Sequence, residues 1–105
     1  MSYAVIWSER GGPRYAGALE IGERCLTLSG TAGGFHTQRR LTYAGLAAMH
    51  VERRPDRRLG GRPTLVLEHK AAGCLGVVAI DGAGTLHEVV ERVAAARERA
   101  AKRAA

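Results

Sequence analysis

Cysteine is nearly absent from this chain. Its 105 residues hold two, Cys25 and Cys74, far apart in sequence. Two isolated cysteines make neither a disulfide framework nor a metal-ligand spacing, so each is expected as a buried free thiol within a strand. Long apolar runs are missing as well. No stretch approaches the roughly 20 residues that cross a bilayer. Residues 1–7 carry no basic segment ahead of their apolar stretch, which is not the shape of a signal peptide. A soluble cytoplasmic protein is therefore expected. Aromatic residues make up 5% of the chain. Trp7, Tyr3, Tyr15 and Tyr43 are spaced as core or edge residues, not as the exposed basic-aromatic stripe of a single-strand nucleic-acid binder.

The residue patterns of catalysis are also lacking. His36, His50, His69 and His87 form no H-x-H or H-E-x-x-H spacing. No metal site, catalytic site or cofactor is expected, and the histidines read as partly exposed strand residues. Were a reaction present, His50, Glu52, Glu68 and His69 on neighbouring strands would be the first place to look. Ser8 and Ser29 have no nucleophile elbow, and neither cysteine has a helix start or a basic partner beside it. Residues 81–85 (DGAGT) have the glycines of a phosphate loop but not its lysine, and Asp81 would repel phosphate. A turn followed by a helix cap is expected there.

What is present is a run of short strands and one helix. Residues 3–7 (YAVIW) are almost wholly apolar. They fit a strand covered on both faces, or an edge strand through which two copies could pair as a homodimer. Residues 14–21 alternate, with Tyr15, Gly17, Leu19 and Ile21 on one face and Arg14 and Glu20 on the other. Residues 25–29 place Leu26 and Leu28 inward. Residues 35–43 place Phe35, Leu41 and Tyr43 inward, and Thr37 and Arg39 share that side, which calls for a bulge or a strand running past the core. Residues 46–53, 64–69 and 75–80 complete seven strands.

The helix is expected over 85–103. Thr85 and Glu88 read as a capping box. Leu86, Val89, Val90, Val93 and Ala94 form its apolar stripe. Past Ala94 the stripe thins, and the last turns are expected to protrude or fray. Strands followed by one helix indicate a single α+β domain over residues 1–105, a bent antiparallel sheet or partly open barrel capped by the helix.

The net charge is +6, and its distribution is uneven. Arg39, Arg40, Arg53, Arg54, Arg57, Arg58 and Arg62 stand against Glu52 and Asp56, so residues 36–62 carry +5 of the total. These seven arginines are the candidate partner- or anion-binding residues; the alternative is a solvated loop between strands whose charge supplies solubility. A GC-rich genome would produce the strong preference for Arg, Ala and Gly without any selection for binding, so the identity of the cations as arginine carries little weight.

Seven strands closed by a C-terminal helix resemble the pleckstrin-homology (PH)-like fold. Tyr43-Ala44-Gly45-Leu46 resembles the Tyr-x-x-Ile segment that opens the middle strand of PH and GRAM-like modules, and residues 62–68 (RPTLVLE) resemble the strand after it. The resemblance covers residues 3–97 and implies a binding or scaffold module. The phosphoinositide-binding loop of that family carries a Lys and a basic-x-Arg pair. Residues 8–14 here hold Arg10 and Arg14 with Glu9 and lack both features, so no headgroup site is carried over.

The leading expectation is a non-enzymatic binding module of a bacterial cytoplasm. It would engage an acidic protein, or the anionic inner face of the membrane, through the arginine-rich loop around Arg53 to Arg62. The alternative is a nucleic-acid-associated protein using the same arginines on phosphates.

Overall fold

The computed structural model describes residues 1–54 and 59–104. Its strands are β1 (Ser2–Glu9), β2 (Arg14–Ile21), β3 (Cys25–Ala32), β4 (Phe35–Thr42), β5 (Leu46–Glu52), β6 (Thr64–His69) and β7 (Gly73–Ala79), followed by the helix α1 (Ala83–Ala104). Every strand pairing is antiparallel, in the order β4-β3-β2-β1-β7-β6-β5. The seven strands make one sheet curled into a half-barrel, and α1 lies in its hollow. The period-two alternation builds this shape. Val5, Trp7, Leu19, Leu26, Leu28, Leu65, Leu67 and Val77 all turn to the concave side and are fully buried. Among the described residues no helix is long and apolar enough to cross a membrane.

The first strand sits at the centre of the sheet. β1 is paired with β2 on one side and β7 on the other. Residues 3–7 therefore complete the sheet and leave no free edge for a second copy.

Curling requires close approach, and two glycines permit it. Gly17 on β2 faces Gly30 on β3 in register. A Cβ on Gly17 would fall inside van der Waals contact of the Ser29 carbonyl oxygen and the Gly30 backbone. A Cβ on Gly30 would stand 2.9 Å from the Cβ of Tyr15 and 3.1 Å from Trp7 Nε1. The space is taken by Trp7, whose indole N–H donates to the Ser29 oxygen at 3.0 Å. Tyr15 stacks on the indole with 4.5 Å between ring centroids. Glycine in a strand marks such a site, where another backbone and a large ring must both come near.

The helix fills the hollow with Leu86, Val89, Val93 and Ala96, all buried. Burial of each large side chain contributes about 1.5–3 kcal/mol. Two expectations for the helix need correction. It starts at Ala83 rather than Thr85, because the Gly82 carbonyl accepts the first helical bond, from Leu86 N, at 3.2 Å. Gly82 reaches this position with φ at 109°. Thr85 thus lies within the first turn and makes no capping box. Ala94 is exposed, and Ala96 continues the stripe at the spacing of three from Val93. Residues 101–103 of the last turns are exposed, with two contacts to the sheet side: Arg97 donates to the Leu46 carbonyl at 2.8 Å, and Arg103 pairs with Glu23 at 2.8 Å.

Two strand details also differ. Phe35 is 78% exposed rather than inward. β4 pairs with β3 without a break from Thr42 to Phe35, so it carries no bulge and its first residues run past the core. The irregularity lies instead in β5, between Leu46 and Ala48. Cys25 and Cys74 are free thiols, half-buried rather than buried.

Gly17→Ala is expected to lower the unfolding free energy by about 3 kcal/mol through forced separation of β2 and β3. The denaturation midpoint followed by Trp7 fluorescence checks this. An unchanged midpoint contradicts the role given to the glycine pair.

Candidate binding surface

Five of the seven arginines lie among the described residues. Arg39 and Glu9 both point to the concave side, and the sheet curls enough for them to form an ion pair across β2 and β3. Arg39 is therefore neutralised and spans the mouth of the half-barrel. Arg40, the next residue, is on the outer face and exposed. Arg53 and Arg54 follow the end of β5, and Arg62 precedes β6; all three are exposed. Arg39 and Arg40 are thus on β4, and the other three flank the loop between β5 and β6. Arg57 and Arg58 lie outside the described residues. A 3-10 turn at Leu59–Gly61 follows, with Gly60 close to the Arg14 guanidinium. Arg14, on the far side of the sequence, thereby joins the surface of residues 59–62.

A second region was not foreseen. The chain passes from β4 to β5 through a 3-10 turn at Tyr43–Gly45. The two halves of the curled sheet meet at this corner, and His69 locks it. Its Nδ1 accepts from Ala71 N at 3.1 Å and Ala72 N at 3.3 Å. Nε2 then carries the ring proton and donates to the Thr42 carbonyl at 3.1 Å. A Cβ on Gly45 would stand 2.5 Å from Nε2, so the turn needs glycine there. Tyr43 fixes the corner from the other side, donating its hydroxyl to the Gly22 carbonyl at 2.7 Å.

Between this corner and the C-terminal half of α1 runs a groove of about 990 Å³. Its sheet wall is Tyr43, Ala44, Leu46 and Ala47. Its helix wall is Arg97, Ala100, Ala101 and Arg103, and Arg24 and Lys70 stand at the rim with Glu23. The floor is apolar and the margin is cationic. The single carboxylate on it, Glu23, is already paired with Arg103. Arg24 and Lys70 pair with no carboxylate among the described residues. These residues come from four separate segments and share no motif, so the groove has no signature in the sequence.

Catalytic chemistry is not assembled at the strand residues named above. His50 lies 3.7 Å from Glu52 on the outer face of β5, and Glu68 is on the same side of β6. His69 alternates to the concave side and is buried in the corner lock, so the four side chains do not converge. Among the described residues no cluster of His, Cys, Asp or Glu could hold a metal ion. His36, His50 and His87 are exposed, and His87 faces Glu91 at 3.2 Å on the helix surface.

Comparison with known proteins gives no matching family model, no matching curated protein and no matching solved structure.

Burial pushes the Tyr43 phenol above its ordinary value of 10.0; nearby Cys25 adds to the rise and Arg99 opposes it. The folded chain thus holds this proton to higher pH than the unfolded chain. The resulting stability is complete below pH 10 and is lost as pH rises through the folded value. Tyr3 is raised too, chiefly by burial. Tyr43→Phe is expected to flatten part of the alkaline loss and to cost about 1 kcal/mol at neutral pH through the missing bond to Gly22. Denaturation midpoints at neutral pH and from about pH 9 to 11 check this; the same alkaline slope in both proteins contradicts it.

Proposed function

We propose that the chain is a non-enzymatic binding module of the PH-like type, working in a bacterial cytoplasm, that holds an acidic protein partner through exposed arginines. The strand order and the helix in the hollow support the PH-like reading of the fold.

The observation that carries the function is the uneven pairing of charge. Carboxylates on the helix are matched with cations one turn away, as in Glu88 with Arg92 and Glu98 with Lys102. Glu9 is spent on Arg39. The side chains of Arg53, Arg54 and Arg62 meet no carboxylate among the described residues. Planar guanidinium groups left in this state suit bidentate bonds to carboxylates of another protein. The contact is exposed, so its strength falls as salt rises. A partner seated at the inner face of the membrane would bring the module there without any insertion of its own.

The test is a binding titration at low salt with three probes: a labelled glutamate-rich peptide, a vesicle containing anionic lipid, and a DNA oligonucleotide. The peptide is expected to bind, and to bind about tenfold more weakly to the Arg53→Ala/Arg54→Ala/Arg62→Ala variant. No peptide binding, or equal binding by the variant, overturns the proposal. Binding of DNA alone, with a steep salt dependence, would transfer the arginines to a nucleic-acid role. Binding of vesicles alone would transfer them to a lipid surface.

A further inference from the structure

We infer that the corner groove seats an amphipathic acidic helix of a protein partner, separately from the arginine segment. The inference rests on the reading of the chain as a module for acidic proteins, and it names the second contact and the form of its occupant.

Charge and polarity define that occupant. The apolar lining left open, Ala44, Ala47, Ala100 and Ala101, is to be covered by apolar side chains, while Leu46 and Tyr43 behind it are already buried. Arg24 and Lys70, which pair with no carboxylate among the described residues, call for carboxylates beside the apolar row, whereas Arg97 and Arg103 already have partners in the Leu46 carbonyl and Glu23. One segment supplies both when apolar residues recur at helical spacing and glutamates border them. A groove of about 990 Å³ is at the upper end of small-ligand sites and is only about half enclosed. That favours a length of polypeptide over a small amphiphile.

Two features favour a helix over an extended strand. Ala44 and Ala47 on one wall and Ala100 and Ala101 on the other present little bulk, so a helix can approach to the usual interaxial distance of about 8–10 Å. An added strand would need the backbone at the start of β5. The Arg97 guanidinium already occupies the Leu46 carbonyl and reaches toward that of Ala47.

The experiment uses the intact chain and three labelled synthetic peptides. The first is helical, with leucines at i, i+3, i+4 and i+7 flanked by glutamates. The second replaces the leucines with serines, and the third replaces the glutamates with lysines. Fluorescence anisotropy at low salt is expected to show the first binding at least tenfold more tightly than either control. Amide shifts in the ¹⁵N spectrum should then centre on Ala44, Ala47 and Ala101. Ala101→Glu and Ala47→Glu, each at an exposed position, should weaken the first peptide at least tenfold while Arg53→Ala/Arg54→Ala/Arg62→Ala keeps its preference for leucine over serine. Equal binding of the leucine and serine peptides overturns the groove. So do amide shifts centred elsewhere, which read the wild-type chain and do not depend on the folding of any variant. If the serine peptide binds as well and only the triple arginine variant loses it, the arginine segment stands and the groove falls. If neither acidic peptide binds, both fall.

Discussion

Leu86, Val89, Val93 and Ala96 leave water only by entering the hollow of the sheet, and the inner side chains of the sheet are shielded by the same contact. The two surfaces depend on each other. A single amphipathic helix in water is marginal, and a curled sheet with one bare apolar face is an aggregation hazard. Docked, each removes the other's exposed apolar area, the dominant favourable term in folding. The Gly17–Gly30 approach gives the sheet its curl, and the Trp7 ring fills the space those glycines leave.

This arrangement also decides where charge can act. The hollow is closed to solvent by α1 along its length, so polar groups are left for the two ends, the outer face and the seams. Arg39 and Glu9 neutralise each other across one mouth. Along the helix, Glu88 with Arg92 and Glu98 with Lys102 satisfy each other one turn apart. Among the described residues, cations without a carboxylate partner remain around Arg53, Arg54 and Arg62 and, as Arg24 and Lys70, at the seam between the β4–β5 corner and the end of the helix. The seam adds an apolar lining, and that combination is the ground for proposing it as a docking groove.

Much of the fold was legible because period two and period 3.6 are direct consequences of backbone geometry. Strands 14–21 and 64–69 end where alternation ends, and Leu86, Val89 and Val93 mark the helix face without ambiguity. The helix start was obscured because a glycine carbonyl, and not a side chain, begins the ladder. Ala94 and Ala96 were indistinguishable by hydrophobicity, since alanine marks a face only weakly. Phe35 followed the alternation of its strand, but alternation does not say where the neighbouring core stops. The site was less legible. The run of arginines announces itself, yet the fate of Arg39 depends on a carboxylate 30 positions away. The corner groove depends on residues 23–24, 43–47, 70 and 97–103 meeting in space, and His69 became a structural lock through two backbone N–H groups that carry no side-chain signature.

The most direct measurement is equilibrium denaturation of the wild-type chain and of Val93→Ala, followed in parallel by far-ultraviolet circular dichroism for the helix and by Trp7 fluorescence for the sheet. If the helix and the hollow hold each other in place, both signals change in one transition, and both midpoints fall together in the variant by the equivalent of about 2 kcal/mol. A helix signal that is lost at lower denaturant while the Trp7 transition stays at its wild-type midpoint would contradict that interdependence.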